Sequence, residues 1–446
     1  MKFVSVGKKS PPVSFREALF SGIAPDGGLY VPEYLPALPR SFSDHLRDYS
    51  LQQFAREVLS SFIGEIPATD LDQIIGKALS FPIPLVKLED DLFLLELFHG
   101  PTLAFKDVGA RFMAETMSYF LAQSHRKVTI LVATSGDTGS AVAHGFHNVP
   151  NTEVLILYPS GRISRLQEQQ MTTLGGNIRA IEVQGTFDDC QRLVKQALTD
   201  PEILRVRTLS TANSINLGRL LPQIVYYVWA VAQWQQHHSQ EQTAPIFAVP
   251  SGNFGNLTAG VYAKLMGTPI AGFIAATNVN DVVPRYLQSG TYTPRPSIQT
   301  ISNAMDVGNP SNLARLQFLF NDDVARFRRD IEAISISEDD TINEIRRTYE
   351  RTGYILDPHS AVGVAAARTI LHSKQYDKAG TSGGQMRHNT IVAATAHPAK
   401  FPDVVKRAIG IDIPLPSTLV DALSKPKLSV RIPSDYNRWK ELLDNR

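Results

Sequence analysis

The chain has 446 residues, of which 43% are apolar and 20% are charged, and its formal net charge is +1. A chain of this length is expected to form about two to four domains with large buried cores. The near-neutral charge gives no electrostatic basis for a nucleic-acid or membrane partner, and the single cysteine, Cys190, excludes an intrachain disulfide and a cysteine-based zinc site.

The N-terminus and the most apolar segment bear on where the protein acts. Residues 1–9 contain no apolar core of the length found in signal peptides. The longest apolar stretch, around Ile224–Ala232, is far shorter than the roughly 20 residues that a membrane-spanning helix needs. We therefore expect a cytoplasmic protein.

Residues 1–80 differ in pattern from the rest of the chain. Proline and glycine interrupt the first part, as in Ala24–Gly28, and amphipathic helices are predicted near residues 50–62 and 69–79. This pattern indicates a small N-terminal helical module that packs on the main body.

Short apolar runs alternate with helical segments from about residue 126 to residue 279. Such alternation predicts parallel β-strands that are covered by helices on both faces. The predicted strands are Val128–Ala133, Val154–Tyr158, Ile178–Val183, Arg207–Ala212, Ile246–Val249 and Ile270–Ala276. The sequence therefore predicts an α/β fold built on parallel sheet.

The C-terminal third of the chain is less regular. Residues Asp322–Arg351 are charged and have a helical pattern. Alternation resumes with a helix predicted at His359–Ser373 and a strand predicted at Asn389–Thr395. These last two elements continue the alternation of helices and strands.

Lys106 lies between an apolar loop, His99–Phe105, and a helix predicted at Asp107–Gln123. A solvated lysine is protonated near neutral pH and is not a nucleophile. Partial burial at such a junction would lower the pKa of the amine and allow it to form a Schiff base. The alternative is an ordinary surface lysine.

Two turns follow predicted strands and open helices. The turn Thr134–Gly139 leads into a helix at Ser140–Phe146, and the turn Pro250–Asn256 leads into a helix at Leu257–Met266. Backbone amides at a helix N-terminus favour phosphate or carboxylate groups. The second turn matches neither the Walker A nor the dinucleotide glycine pattern, so a phosphate is predicted but a nucleotide is not. Simple helix capping or a tight turn remains the alternative for both.

A third polar turn, Asn213–Arg219, also follows a predicted strand. Its amides, hydroxyl and guanidinium suit a second phosphate or a carboxylate, although a solvated loop is the alternative. Thr395 ends the last predicted strand, where its hydroxyl would either face a ligand or cap the strand. His99, His359 and His397 have no carboxylate partner evident in the sequence, and we expect them to be packed or hydrogen-bonded. No metal site is predicted.

Together these motifs resemble those of threonine synthase, in its microbial and fungal branch. The resemblance runs in the same order from the first residues to about Lys406. It is carried by Ala24–Glu33, His99–Asp107, Thr134–Gly139, Pro250–Asn256, Asn278–Arg285, Ser302–Gly308, Asp357–His359 and Thr395–Phe401. One motif alone would indicate only a related pyridoxal-phosphate (PLP) enzyme, whereas the ordered set indicates this family.

The resemblance implies the tryptophan-synthase-β-like PLP fold, with PLP in a cleft between two parallel-sheet α/β domains. The smaller domain would comprise residues 126–210, and the larger residues 81–125 and 211–446. By analogy, Lys106 bears the cofactor and acts as a mobile acid and base, and Thr395 faces the pyridine nitrogen. The cofactor phosphate would lie at the glycine turn formed by Gly252, Asn253, Phe254, Gly255 and Asn256. Asp137 would lie near the phenolic oxygen of the cofactor, where more distant relatives carry Asn.

The resemblance also implies a substrate, O-phospho-L-homoserine, and a lyase reaction that converts it with water into L-threonine and phosphate. The implied contacts are Ser135, Gly136 and Thr138 for the α-carboxylate and Asn213, Ser214 and Arg219 for the phosphate. This reaction is the last step of threonine biosynthesis. Relatives of this branch include monomers, so we expect a monomer.

Two alternatives are compatible with part of this pattern. A serine/threonine dehydratase or a β-replacing synthase of the same fold would share Lys106 and the glycine turn but would have little need for the anion site at Asn213–Arg219. A catalytically silent relative that binds PLP or phosphorylated metabolites is the other alternative. No feature of the sequence favours it, because Lys106 and the anion turns are intact.

Overall fold

Two β-sheets, each flanked by helices, form the body of the protein. The computed structural model describes residues 1–39, 48–124, 126–238, 243–372 and 389–444. Within these ranges, the larger sheet has six strands, in the spatial order Ile331–Ser335, Gly272–Thr277, Ile246–Pro250, Thr390–Ala394, Leu92–Glu96 and Leu85–Glu89. Neighbouring strands are parallel except for the last pair, which is antiparallel. The predicted parallel-sheet α/β architecture is confirmed.

The smaller sheet contains five strands among the described residues, and all of its neighbouring strands are parallel. Their spatial order is Ser429–Pro433, Ile178–Gln184, Thr152–Pro159, Val128–Ala133 and Leu209–Thr211. The strand Ser429–Pro433 corrects the sequence interpretation, which placed all of residues 211–446 with the larger sheet. It escaped the sequence because it is an edge strand in which Ile432 alone is buried, so it lacks a continuous apolar run.

The helices cover both sheets and the N-terminal segment. Their bounds are Phe15–Ser21, Leu51–Ser60, Ala68–Ala78, Lys106–Ala122, Asp137–Phe146, Arg165–Thr172, Phe187–Thr199, Pro201–Val206, Leu217–Leu220, Gln223–His237, Gly255–Leu265, Val282–Ser289, Leu313–Leu319, Val324–Asp330, Glu338–Thr352, Pro358–His372, Pro402–Ile409, Ser417–Ser424 and Tyr436–Asp444, with short 3₁₀ helices at Asn303–Met305 and Pro398–Lys400. Across the described ranges, none of the helices combines the length and the apolar character needed to cross a membrane.

Most of the predicted elements are confirmed, with ends that differ by one or two residues. The predicted strand Val128–Ala133 has the predicted bounds, and the strand predicted at Arg207–Ala212 is shorter, at Leu209–Thr211. The helix expected to follow Lys106 begins at Lys106 itself. Ser373, the predicted end of another helix, lies outside the described residues.

One element was wrongly predicted. The charged segment Asp322–Arg351 is not helical throughout, because the strand Ile331–Ser335 separates the helices Val324–Asp330 and Glu338–Thr352. This strand pairs with Gly272–Thr277 at the edge of the larger sheet, and most of its side chains are only half-buried. The charges of the flanking helices conceal its apolar alternation in the sequence.

The N-terminal module contains strands as well as the predicted helices. Phe3–Ser5 pairs with Tyr30–Pro32 in a two-stranded antiparallel sheet. The helices Phe15–Ser21 and Leu51–Ser60 each begin with a capping box, in which the N-cap serine and the third helical residue satisfy each other's backbone amides. The module therefore has local structure of its own beside the main body.

Arg315 ties the N-terminal module to the centre of the molecule. Its fully buried guanidinium donates to the carbonyl of Tyr30 in the module (3.0 Å) and to the carbonyls of Ser214 (3.2 Å) and Ile215 (2.7 Å). It also donates to Oδ1 of Asn312 at 2.6 Å. One buried cation thus satisfies four acceptors from three segments.

We expect Arg315→Met to lower the free energy of unfolding by about 3 kcal/mol, because it leaves several buried acceptors without a donor. Urea unfolding followed by circular dichroism measures this change. Arg329→Met, at an exposed arginine, is the matched control and should change it by less than about 0.5 kcal/mol. Equal unfolding midpoints for the two variants would contradict the structural role of Arg315.

Candidate active site

A cleft opens where strands of both sheets end. Residues at the carboxyl ends of Val128–Ala133, Ile246–Pro250 and Thr390–Ala394 line it, as expected for parallel sheets. The predicted site residues that line the cleft are Lys106, Ser135, Asp137, Thr138, Asn213, Ser214, Arg219, Gly252, Asn253, Phe254, Gly255, Asn256 and Thr395. Gly136 does not line it. The structure therefore brings together residues from five separate segments of the chain.

A short backbone pairing positions Lys106 beside Thr395. The amide of Phe105 donates to the carbonyl of Thr395 (2.9 Å), and the amide of His397 donates to the carbonyl of Leu103 (3.0 Å). Leu103 has a positive φ of 59°, which turns the chain into the helix that begins at Lys106. The lysine thus extends from the first position of a helix that is fixed to the end of a central strand.

The amine of Lys106 is in an environment that favours its neutral form. Its side chain is only 14% exposed, and Nζ lies 3.7 Å from Oδ2 of Asp137. Burial lowers the pKa of Lys106, the nearby charges of Lys400 and Arg219 lower it further, and Asp137 opposes them. Lys106 is therefore closer to a usable nucleophile than a surface lysine is.

The carboxylate of Asp137, which lines the cleft, has three polar partners. Its carboxylate accepts from Nε2 of Gln167 (2.9 Å) and pairs with Nζ of Lys400 (2.7 Å), while its other oxygen faces Lys106. Burial opposes the charge of Asp137, but the two lysines outweigh it and hold the pKa of this carboxyl well below its usual range. Asp137 is therefore an ionised, buried carboxylate.

Sequence reasoning missed both Lys400 and Gln167. Lys400 is fully buried within Pro398–Phe401, and a buried lysine must be paired. The apolar residues on both sides of Lys400 in the sequence were the signal that could have indicated its burial. Gln167 lies on a polar helix, Arg165–Thr172, and its sequence gave no comparable indication.

The glycine turn has the backbone geometry of an anion cradle. Phe254 has a left-handed φ of 62° and precedes the helix Gly255–Leu265. A Cβ atom at Gly252 would lie 2.7 Å from Cα of Met305, so a side chain does not fit there. Oδ1 of Asn256 accepts from the hydroxyl of Tyr227 (2.6 Å), whereas its buried Nδ2 has no partner among the described residues. The turn therefore offers helix amides and a free amide group to an anion.

The third turn adjoins the glycine turn and supplies a cation. Oγ of Ser214 accepts from Nδ2 of Asn253 at 2.5 Å, which joins the two turns directly. The amide of Asn213 is bonded to the backbone of Ala133, to its N–H (3.0 Å) and its carbonyl (2.6 Å). Arg219 donates through Nη1 to the carbonyl of Ala212, and its buried Nε has no partner in the part of the chain that the structure describes. Arg219 is thus the main positive charge here, while Asn213 chiefly fixes the loop.

The turn after Val128–Ala133 is fixed by Thr134. Oγ1 of Thr134 accepts from the amides of Gly136 (2.9 Å) and Gly139 (2.8 Å). Gly136 has a φ of 132°, and a Cβ atom there would lie 2.5 Å from the side chain of Gln167. Gly136 therefore shapes the turn, whereas Ser135 and Thr138 face the cleft.

The three histidines are hydrogen-bonded, as predicted, and two of them have carboxylate partners that were not evident in the sequence. Nε2 of His99 lies 2.7 Å from Oε2 of Glu96, and Nδ1 of His359 lies 2.8 Å from Oδ1 of Asp357. These partners are only two or three residues away along the chain. Nε2 of His359 accepts from the amide of Ala304 at 3.1 Å, so His359 lines the cleft in a structural role.

Comparison with known proteins gives matches along the whole chain. A family model described as pyridoxal-phosphate dependent enzyme matches residues 78–382. A model described as threonine synthase N terminus matches residues 2–79, and one described as threonine synthase, C-terminal, matches residues 360–443. The chain is 42% identical to threonine synthase of Escherichia coli (strain K12) over 446 residues, which covers 100% of each protein.

Solved structures agree with these sequence matches. The PLP-bound threonine synthase of Brucella melitensis superposes with a TM-score of 0.88 and 39% identity, over 99% of this chain and 98% of that one. The yeast threonine synthase superposes with a TM-score of 0.87 and 34% identity, over 100% and 98%. With cleft, fold and sequence in agreement, the chain belongs to the threonine synthase family of pyridoxal-phosphate dependent enzymes.

Proposed function

We propose that this protein converts O-phospho-L-homoserine and water into L-threonine and inorganic phosphate, with PLP attached to Lys106. The observation that carries the proposal is the position of the Lys106 amine, which is buried in one cleft with the glycine turn and Arg219. A cofactor phosphate and a substrate phosphate require two anion sites near one amine. The cleft offers that combination.

The residues of the cleft fit PLP. The glycine turn would hold its phosphate through the amides at the start of the helix Gly255–Leu265. Thr395, buried beside Lys106 at the end of a central strand, would face the pyridine nitrogen with a neutral hydroxyl. A neutral group there does not stabilise a protonated ring. When bound, PLP supplies a conjugated ring that takes up the electrons of a substrate carbanion.

The substrate would lie between the turn that contains Ser135 and Thr138 and the turn that contains Arg219. The first turn binds the α-carboxylate, and Arg219 with Ser214 binds the phosphate. Arg219 suits this role because a guanidinium matches a phosphate, and no ion pair with a carboxylate occupies it among the described residues. Asn213 contributes mainly by holding the loop to Ala133.

Lys106 carries the protons in the proposed reaction. Its Nζ removes a proton from Cα of the substrate and then one from Cβ. The bond between Cγ and the ester oxygen breaks, and phosphate leaves with the bonding electrons. Cγ gains a proton and becomes the methyl group, the water oxygen forms a bond to Cβ as water loses a proton, and Cα regains a proton. The remaining proton leaves with the phosphate. The depressed pKa of Lys106 suits both proton removal and proton return.

The test is product analysis with purified protein, PLP and O-phospho-L-homoserine. The proposal predicts L-threonine and inorganic phosphate in equal amounts. Release of ammonia from serine or threonine at a higher rate would instead identify a dehydratase. No product from any of these substrates, with PLP bound, would identify a catalytically silent relative.

We expect Gly252→Ala to weaken PLP binding at least about tenfold, or ~1.4 kcal/mol. The new methyl group would meet the backbone of Met305 and Ala304 and displace the turn that receives the phosphate. Fluorescence titration with PLP measures the dissociation constant. Gly76→Ala is the matched control because nothing lies within 4 Å of its added Cβ. Unchanged PLP affinity in Gly252→Ala would contradict the cradle.

The cellular setting is part of the proposal. The near-neutral charge and the family resemblance support a cytoplasmic monomer without nucleic-acid or membrane partners. Light scattering of the purified protein tests the oligomeric state, and a dimer mass would overturn that part alone.

A further inference from the structure

The geometry points to Lys400 as a positioning residue that, through Asp137, keeps the Lys106 amine from being held as an ammonium ion. Lys400 lies on the short helix Pro398–Lys400, outside the loop that carries Lys106. The inference rests on the proposed role of Lys106 as the residue that receives PLP. It concerns a residue that does not line the cleft.

Lys400 is fully buried, and its ammonium has two acceptors. Nζ lies 2.7 Å from Oδ1 of Asp137 and donates to the carbonyl of Thr102 at 2.9 Å. The imidazole of His397 accepts from the amide of Ala399 (3.1 Å) and fixes the turn that carries Lys400. Burying a lysine is costly unless it is paired. We therefore infer that the ion pair between Lys400 and Asp137 has a role beyond general stability.

Asp137 is held so that each of its oxygens meets a different lysine. Oδ1 contacts Nζ of Lys400 and Nε2 of Gln167, and Oδ2 lies at the longer distance of 3.7 Å from Nζ of Lys106. Oε1 of Gln167 in turn accepts from Asn303 at 3.2 Å, which fixes the amide. The carboxylate is thus shared unequally, with the shorter contact to Lys400.

The charged groups that act on Lys106 lie on elements other than its own helix. Asp137 and Lys400 face it from two elements, and Arg219 faces it from a third. Asp107, on its own helix, is fully buried and bound to Thr102, and burial raises its pKa. His359 lines the same cleft from the helix Pro358–His372. Cations therefore outnumber the available carboxylates.

Lys400 acts on Lys106 in two ways that have the same sign. It repels a second ammonium ion directly, and it neutralises much of the charge of Asp137 that would otherwise hold Lys106 protonated. Removing Lys400 should therefore raise the pKa of Lys106. Removing the charge of Asp137 should lower it, because two or more buried cations then remain without that carboxylate.

The opposite signs give a test that needs no cofactor. The full chain, freed of PLP, is treated with acetic anhydride over a range of pH, and modification of Lys106 is measured by peptide mass spectrometry, with exposed Lys8 as internal reference. The pH at half-maximal rate reports the pKa of Lys106. Lys400→Met should move it up, and Asp137→Asn should move it down, each by about one pH unit.

Matched variants separate charge from folding. Lys406→Met and Asp412→Asn alter an exposed ion pair of 2.9 Å and should leave the titration of Lys106 unchanged. Lys400→Arg keeps the cation and should restore most of the wild-type value. The double variant Lys400→Met with Asp137→Asn removes both buried charges and should titrate closer to wild type than either single variant.

A second readout uses PLP itself. The rate at which PLP attaches to Lys106, followed by absorbance, should fall at neutral pH in Lys400→Met and recover as the pH rises, because a neutral amine is the reacting form. Shifts of the same sign in Lys400→Met and Asp137→Asn, or no shift in either, would overturn the inference. If the two variants shift the pKa of Lys106 in opposite directions but the wild-type protein never binds PLP, the proposed function is overturned and the charge coupling stands.

Discussion

Replacing Lys106 with alanine is expected to reduce turnover of O-phospho-L-homoserine by at least about 1,000-fold, because one side chain would bear the cofactor and move the protons at Cα and Cβ. The absorbance of PLP attached to the protein should disappear as well. Initial rates of phosphate release, measured together with the absorbance spectrum, test both parts. Lys106 is the first residue of its helix, so the substitution leaves the fold intact.

Two further variants make this test specific. Lys106→Arg keeps a positive charge but is expected to remain inactive, because arginine stays protonated and cannot receive PLP. Lys87→Ala, at an exposed lysine paired with Asp90, should keep wild-type activity. Activity within about tenfold of wild type in Lys106→Ala would assign the proton transfers to another residue.

Replacing Arg219 with alanine is expected to raise KM for O-phospho-L-homoserine about 100-fold, which corresponds to ~2.7 kcal/mol, because a buried charge-assisted contact to the phosphate is lost. The affinity for PLP should change little, because the Arg219 guanidinium is held by the carbonyl of Ala212 and not by the glycine turn. Steady-state kinetics and PLP titration measure the two quantities. An equal loss of PLP affinity would move Arg219 into the cofactor site.

The position of Arg219 requires a check on folding. Nη1 of Arg219 donates to the carbonyl of Ala212, and the whole residue is buried. Arg219→Lys keeps a cation and should lie between wild type and Arg219→Ala in KM. Arg162→Ala, at an exposed arginine, is the matched control for the loss of a guanidinium. A KM unchanged in all three variants would remove Arg219 from the substrate site.

The sequence was most informative where strands end. In a parallel sheet the carboxyl ends of strands meet at one edge, so turns such as Thr134–Gly139 and Pro250–Asn256 could be expected to lie together before the structure was known. The junction at Lys106 was predictable because an apolar loop passes into a helical pattern. These are local signals, and the structure brings the residues that they indicate into one cleft.

The parts that escaped the sequence depend on contacts between distant residues. Lys400 meets Asp137 across more than 260 positions, and no local pattern marks such a pair. Asn213 was expected to hold the substrate phosphate, yet its amide is bonded to the backbone of Ala133. The strand Ser429–Pro433 is half-exposed at a sheet edge and gave no strand signal. Contacts between residues far apart in the sequence, rather than local secondary-structure propensity, determine all three features.

The most direct test of the account is the fate of oxygen when the reaction runs in water enriched in ¹⁸O. The proposed reaction breaks the bond between Cγ and the ester oxygen and adds water at Cβ, so the label should enter the hydroxyl group of L-threonine, and the phosphate formed by cleavage should carry none. Mass spectrometry of both products measures this. Label in the released phosphate, with L-homoserine as the other product, would show cleavage of the phosphorus–oxygen bond and contradict the proposed reaction.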